Sequence, residues 1–307
     1  MDMVEKIKAE QKRQGATIVS HYYQEAAIQD LADFVGDSLA MAQYCQKTEA
    51  ETIVVCGVRF MAETAKSLNP TRKVLVPDLE AGCSLADSCQ PAPFKYFKSK
   101  LKDPYVVMYI NSSPEIKALS DVICTSSNAE KVIRTVPPDR QILFGPDRHL
   151  GRYLVEQTGR DMVLWQGVCI VHETFNEKKV LKLKAQVPEA EIIAHPECEE
   201  SILRHANFVG STSKLLKYTQ ESPAKKFIVL TEAGIIHQMQ KASPDKEFIP
   251  GPDDAGCNCA ECPYMRLNTL EKLYECLVTG KPEIVMSPEL IAASAKPLEK
   301  MMEITAS

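Results

Sequence analysis

Cysteines follow apolar strand patterns at widely separated points of this sequence. Cys83 follows KVLVPDLEAG, Cys169 follows MVLWQGV, and GCNCAECPYM contains Cys257, Cys259 and Cys262. Thiolates bind zinc and iron–sulfur clusters, and both centres commonly take four protein ligands when the site is closed. One cysteine from each of three loops would leave a coordination position open to a reactant. The pattern predicts a catalytic metal centre, and spacing alone leaves an open [4Fe–4S] cluster and a zinc site as alternatives.

Polar side chains stand where other apolar strand patterns end, as in ATIVSHYYQ, YVVMYINSS and AEIIAHPEC. If these ends converge, the site contains imidazoles, hydroxyls, an amide and a carboxylate. The candidate residues are His21, Tyr23, Ser38, Tyr109, Asn111, Ser126, His172, His195, Glu197 and Thr212. This set suits proton transfer and elimination on a metal-bound small molecule.

Two features of the set indicate a role for particular residues. Glu197 is the only acid among the strand-end residues expected nearest the centre, so it is the candidate general base, with a pKa raised by burial. Ser38, Ser126 and Thr212 stand where a short strand passes into a helix. Helix starts attract anions, which suits a substrate with carboxylate or phosphate groups. The alternative is that these hydroxyls are ordinary N-caps and the histidines are core side chains.

The same pattern of short apolar strands and intervening helices occurs three times along the chain. It is typical of βα units with a parallel sheet. We therefore expect an α/β fold of three αβα domains related by pseudo-threefold symmetry, at residues 1–88, 89–176 and 177–263. Helices in 264–307 would pack back on the first domain. Ligands bind beyond the carboxyl ends of parallel strands, so a central active site is predicted.

Charge and hydropathy exclude several classes of protein. The net charge is −5 and acidic and basic residues are interleaved, so nucleic acid and membrane surfaces are not expected partners. The N-terminal segment MDMVEKIKAEQKRQG lacks the apolar core of a signal peptide. We therefore expect a cytoplasmic protein with reduced cysteines.

Nine motifs of the chain resemble, in the same order, those of the quinolinate synthase family (NadA). They are HYYQ, DFVGDSLAMA, GVRFMAE, YINSS, DVICTSSNA, FGPDRHLG, HPEC, VGSTS and CPYMRLNTL, from about residue 17 to 300. The resemblance implies three α/β domains around an oxygen-sensitive [4Fe–4S] cluster. It also implies condensation of iminoaspartate (iminosuccinate) with dihydroxyacetone phosphate to quinolinate, phosphate and water in NAD biosynthesis. L-aspartate oxidase or aspartate dehydrogenase would be the functional partner that supplies iminoaspartate.

Carried over residue by residue, the resemblance implies three sets of roles. Cluster ligation falls to Cys83, Cys169 and Cys262. Substrate binding falls to His21, Ser38, Tyr109, Asn111, Ser126, His195, Glu197 and Thr212, and catalysis to Glu197, Tyr23, His195, His172 and Tyr109.

The third cysteine loop departs from the family pattern because its spacing is C-x-C-x-x-C. Cys262 matches the ligand because P-Y-M-x-x-N follows it, while Cys257 and Cys259 stay open as alternatives. The pair Cys259–Cys262 could form a redox-switch disulfide. Two other functions also remain open, a zinc-dependent hydrolase and a non-catalytic iron–sulfur redox sensor.

Overall fold

The computed structural model describes residues 2–252 and 260–306 of the chain. These residues form three separate four-stranded sheets, and every strand pair within a sheet is parallel. The predicted α/β fold of three αβα units with short parallel sheets is confirmed.

The first unit has the strand order β2-β1-β3-β4. The central strand β1 pairs with both neighbours through Val19, which lies opposite Phe34 and Val55. Its helices and strands are, in chain order, α1 (Met3–Gln14), β1 (Ala16–His21), α2 (Ala26–Leu31), β2 (Phe34–Gly36), α3 (Ser38–Lys47), β3 (Thr52–Cys56), α4 (Arg59–Leu68) and β4 (Lys73–Leu75).

The second unit repeats this order as β6-β5-β7-β8. Strands β5 and β7 are continuous apolar runs because helices cover both faces of the sheet. A short helix, α5 (Ser84–Asp87), comes between β4 and this unit. The helices and strands of the unit are α6 (Pro91–Ser99), β5 (Tyr105–Tyr109), α7 (Pro114–Lys117), β6 (Val122–Cys124), α8 (Ala129–Thr135), β7 (Ile142–Gly145), α9 (Arg148–Thr158) and β8 (Met162–Leu164).

The third unit has the order β10-β9-β11-β12, so the strand order is the same three times. A short 3₁₀ helix at His172–Thr174 precedes it. Its helices and strands are α10 (Glu177–Gln186), β9 (Glu191–Ala194), α11 (Glu200–Leu203), β10 (Phe208–Val209), α12 (Thr212–Glu221), β11 (Lys226–Leu230), α13 (Ile235–Ala242) and β12 (Glu247–Pro250).

Two helices follow a 3₁₀ turn at Met265–Leu267: α14 (Leu270–Thr279) and α15 (Pro288–Ala306). Helix α14 packs on α1, whereas α15 packs against α4, α7 and β6. Helix α15 therefore contacts both the first and the second unit, and one apolar cluster runs through these two units. The domain boundaries remain a prediction.

No helix among the described residues is long and apolar enough to cross a membrane. Cytoplasmic localisation stays a prediction.

Candidate active site

One cavity is lined by residues from the carboxyl ends of strands in all three sheets. The volume of this cavity is about 70 Å³. Its wall brings together every residue predicted for the site, namely His21, Tyr23, Ser38, Cys83, Tyr109, Asn111, Ser126, Cys169, His172, His195, Glu197, Thr212 and Cys262. These residues therefore share one space, while the chemical role of each remains a prediction.

Glu197 stands at the centre of a buried polar network. The Tyr109 hydroxyl donates to Glu197 Oε1 over 2.5 Å. Nδ1 of His172 lies 3.0 Å from Oε2, and Nδ1 of His195 lies 3.8 Å from Oε1. The His172 and His195 rings are stacked with their centroids 4.8 Å apart. One carboxylate thus meets a phenol and two imidazoles away from bulk water.

The network makes Glu197 more acidic, which corrects the expectation of a raised pKa. Burial opposes ionisation, but His172, His195 and the Tyr109 hydroxyl outweigh it and lower the pKa of Glu197. Burial also lowers the pKa of His195 to about 3. Burial and the neighbouring Glu197 raise the pKa of Tyr109 well above its ordinary value. At neutral pH the network therefore contains a carboxylate, a neutral His195 and a neutral phenol.

Tyr23 is held by two threonines of the third unit. Its hydroxyl lies 2.9 Å from Thr212 Oγ1 and 2.8 Å from Thr231 Oγ1. Its backbone N–H donates to Nδ1 of His21 over 3.2 Å. Burial raises the pKa of Tyr23 well above its ordinary value and lowers the pKa of His21 to about 4. Tyr23 is therefore a neutral hydroxyl that keeps its proton at neutral pH.

The three predicted hydroxyls occupy different local positions. Ser38 and Thr212 are the first residues of α3 and α12, but the side chains that cap these helices belong to Asp37 and Ser211. Ser126 precedes α8 and its hydroxyl lies 3.1 Å from Nε2 of His195. The interpretation of these residues as N-caps is therefore wrong. The start of α3 also carries a carboxylate, which makes it a poor site for an anion.

Asn111 presents an unused hydrogen-bond acceptor. Its Oδ1 atom is buried and has no hydrogen-bond partner within the described part of the chain. The residue lines the cavity. A buried polar atom without a partner costs free energy, so a ligand with an N–H or O–H donor would stabilise this arrangement.

The three sulfur atoms on the cavity wall come from separate parts of the fold. Cys83 follows β4, Cys169 follows β8 and Cys262 lies beyond β12. Burial raises the pKa of Cys83 to about 12 and raises the pKa of Cys169 and Cys262. The other described cysteines are buried and lie outside this wall.

Comparison with known proteins assigns the family. A sequence profile of the quinolinate synthetase A protein family (NadA) matches residues 5–303. The chain belongs to the quinolinate synthase family. Proteins named quinolinate synthase from Synechocystis sp., Nostoc punctiforme and Thermosynechococcus vestitus are 60%, 59% and 56% identical to it. Each match covers 99% of this chain, and 96%, 94% and 96% of the respective relatives. Members of this family are enzymes of NAD biosynthesis, and the predicted resemblance is confirmed.

The donor set at the cavity fits an iron–sulfur group of the kind expected for the quinolinate synthase family. Three thiols face one space, and soft sulfur ligands suit such groups. Since burial keeps these thiols protonated, binding of the group would release protons. Cys257 and Cys259 lie outside the described residues. The predicted Cys259–Cys262 disulfide therefore stays a prediction.

A second set of donors overlaps the first. Ligand atoms of Cys169, His172 and Glu197 all lie within 4.8 Å of one another, and this mixed set could hold zinc. His149, Glu173 and Glu199 form a similar group elsewhere.

Arg148 contacts two members of the group formed by His149, Glu173 and Glu199. Its guanidinium lies 2.9 Å from Glu173 and 3.4 Å from Nε2 of His149. The arginine supplies the positive charge there, so the group has a structural explanation.

Three polar residues of this site were missed by sequence reasoning. Asp37 and Glu232 line the cavity, so the expectation that Glu197 is the only acid there is wrong. Thr231 lies behind the wall and contacts Tyr23. Thr231 and Glu232 directly follow β11, in the run KFIVLTEAG. The signal for Thr231 and Glu232 was the carboxyl end of the third strand of their unit, whereas Asp37 directly follows β2, in the run DFVGD.

Proposed function

We propose that the chain condenses iminoaspartate with dihydroxyacetone phosphate to quinolinate, phosphate and two waters. The observation that carries the proposal is the shared cavity of Cys83, Cys169 and Cys262 with the Glu197 network. Membership of the quinolinate synthase family supports it. The overall reaction is neutral in oxidation state, so condensation and elimination account for every atom.

We further propose that Cys83, Cys169 and Cys262 hold a [4Fe–4S] cluster. Three protein ligands leave one iron open, and that iron supplies Lewis-acid chemistry to a substrate oxygen or nitrogen when the cluster is bound. All other roles below belong to side chains of the chain.

Substrate binding relies on complementary polar groups around the cavity. The unpartnered Oδ1 of Asn111 is an acceptor for the N–H of an imine or enamine. The hydroxyls of Ser126 and Thr212 and the neutral imidazole of His21 are donors for carboxylate oxygens. Iminoaspartate contains both an imine nitrogen and two carboxylates. Neutral hydrogen-bond donors are therefore sufficient to bind its two negative charges.

Proton transfer relies on the difference in acidity within the Glu197 network. Glu197 is ionised at neutral pH, so it is the group of this network that can accept a proton from the substrate, and its lowered pKa makes it a weak base. Tyr109 and Tyr23 keep their protons because burial raises the pKa of both, so their hydroxyls can donate hydrogen bonds to a leaving oxygen. His172 contacts Glu197 and orients the carboxylate.

Iminoaspartate is lost by reaction with water. The enzyme therefore requires a steady supply of iminoaspartate. We propose that an aspartate-oxidising enzyme, either L-aspartate oxidase or aspartate dehydrogenase, is the functional partner that provides this substrate.

The test is an anaerobic preparation analysed for iron, sulfide and zinc, together with a quinolinate assay. The assay generates iminoaspartate in situ and supplies dihydroxyacetone phosphate. We expect about four iron and four sulfide ions per chain, a brown colour that bleaches in air, and quinolinate as product. Zinc without sulfide would favour the zinc-dependent hydrolase through the Cys169, His172 and Glu197 set. A cluster without turnover would favour a redox sensor.

A further inference from the structure

We propose that Lys117 is a positioning residue that directs Asn111 toward the cavity by binding the backbone on both sides of it. The inference rests on the proposed function, in which Oδ1 of Asn111 accepts a hydrogen bond from the N–H of iminoaspartate. Lys117 is fully buried and is not part of the cavity wall, so it acts through Asn111.

Asn111 stands at the tip of a very tight turn. The N–H of Ser112 donates to the carbonyl of Ile110 over 2.8 Å, so Asn111 is the central residue of a three-residue γ-turn. Ile110 is itself attached to the sheet, because its N–H donates to the Cys124 carbonyl over 2.8 Å. Beyond the turn, Ser113 caps helix α7. The turn therefore joins the end of β5 to α7 and places Asn111 on the cavity wall.

The amino group of Lys117 binds the two carbonyls that flank Asn111. Its Nζ donates to the carbonyl of Ile110 over 2.9 Å and also to the carbonyl of Ser112. The same Nζ lies 5.4 Å from the centre of the Phe60 ring, within range of a cation–π contact. Burial lowers the pKa of Lys117 to about 7, yet the amine and the ammonium both have enough N–H groups for two carbonyls. One side chain thus binds the residue before Asn111 and the residue after it.

Asn111 depends on this backbone support because its own acceptor has no other anchor. Its Oδ1 has no hydrogen-bond partner within the residues that the structure describes. The direction of such a side chain is set by its backbone and by packing, since no hydrogen bond at that atom opposes a change of rotamer. A shift of the turn would therefore move the acceptor away from the position where a ligand N–H can reach it.

The burial of a lysine at this place also calls for an explanation. It costs free energy, because the amino group loses its hydration and the long side chain loses conformational freedom. A methionine would fill a similar space without the loss of hydration. What the lysine adds is the pair of hydrogen bonds to the turn, so the conformation of the turn is the property that these bonds serve.

The test is a double-mutant cycle that combines Lys117→Met, which removes the donors at similar volume, with Asn111→Ala. We expect Lys117→Met to raise KM for iminoaspartate by about tenfold, with kcat changed less than about threefold and iron content unchanged. In the Asn111→Ala background, Lys117→Met should change KM less than about twofold, because the side chain that it positions is then absent.

Lys66→Met is the matched control. Lys66 is also buried, and its ammonium donates to the carbonyl of Arg72 over 2.7 Å, away from the cavity wall. KM and kcat of this variant should equal those of the wild type. If Lys117→Met raised KM by the same factor with and without Asn111, its effect would be structural only and the inference would be wrong. An unchanged KM in the Lys117→Met single variant would overturn it as well.

A crystal structure of the Lys117→Met variant supplies a readout that does not require turnover. We expect loss of the hydrogen bond between Ser112 and Ile110, or rotation of Asn111 away from the cavity, and an unchanged turn would overturn the inference. If this variant does not fold, Lys117→Gln takes its place with the same expectations, because its amide is one bond shorter and cannot bind both carbonyls. A wild-type chain that contains the cluster and forms no quinolinate would instead refute the proposed function, and the crystal structure would still decide the role of Lys117.

Discussion

Tyr109 and Glu197 are 88 residues apart in the chain, yet the tyrosine hydroxyl donates to the carboxylate over 2.5 Å. Tyr109 ends β5 of the second unit, and Glu197 follows β9 of the third. The contact therefore exists only when these two units pack together. It makes the acidity of Glu197 a property of the assembled fold, and this leads to the first prediction.

Glu197→Gln should retain the cluster and lose quinolinate formation by at least about 100-fold, because the amide cannot accept a proton. The measurement is product formation at equal iron content. Glu200→Gln is the matched control, since Glu200 is exposed at the start of α11. Comparable turnover in the two variants would exclude Glu197 as the base.

Replacement of Cys83, Cys169 or Cys262 by Ala should each abolish the visible absorbance of the cluster and reduce bound iron. The physical reason is that two remaining thiolates cannot retain the group. Cys198→Ala is a control, because Cys198 is fully buried outside the cavity wall and its thiol donates to the Leu230 carbonyl.

The third cysteine loop requires its own comparison. Cys257→Ala should keep its iron, whereas Cys262→Ala should not. If Cys257→Ala lost its iron and Cys262→Ala kept it, the third ligand would be Cys257 instead of Cys262.

Asp37→Ala should destabilise the fold more than an ordinary loss of a helix cap. Asp37 caps α3, and its Oδ2 also accepts hydrogen bonds of 2.7 Å from Ser127 of the second unit and Ser213 of the third. We expect a loss of ~2–4 kcal/mol in the free energy of unfolding, because hydrogen bonds to a charged group are strong. Thr269→Ala, which removes only the cap of α14, should cost ~1 kcal/mol. Denaturant midpoints provide the comparison, and equal losses would mean that the contacts between units contribute nothing.

Stability should depend on pH through Lys117. This lysine is fully buried, its ammonium group donates to the carbonyls of Ile110 and Ser112, and burial lowers its pKa to about 7 in spite of the nearby Glu63. The unfolded chain holds this proton up to about pH 10, so between pH 7 and 9 it binds more protons than the folded chain.

It follows that the stability of the wild type should rise with pH relative to Lys117→Met, by at most ~1.4 kcal/mol per pH unit. The measurement is the free energy of unfolding of both proteins at pH 7, 8 and 9. Parallel curves would show that Lys117 keeps its proton in the folded state.

Much of the fold and site could be predicted from the sequence because the relevant signals are local. Continuous β-branched runs such as TIVVC mark strands that helices cover on both faces, and Gly15, with φ of 58°, ends α1 just before β1. In a parallel sheet the carboxyl ends of the strands share one edge, and the threefold repeat of the pattern allowed the edges with His21, Asn111 and His195 to be assigned to one centre.

Other features depend on neighbours that are distant in sequence. The lowered pKa of Glu197 arises from His172, His195 and Tyr109, and no local pattern states that these side chains touch the carboxylate. Helix α15 likewise packs on α4 of the first unit and on α7 and β6 of the second, and these contacts are between residues that are far apart in the sequence.

The sequence by itself determined three βα units and the loops that carry the cysteines, since strand period and turn residues act over short distances. Only the tertiary structure decided that Thr231 bridges Tyr23 and His172 and that Asp37 joins three units. Hydrogen bonds of this kind require atoms within about 3 Å of one another, and that distance is set by how the units pack.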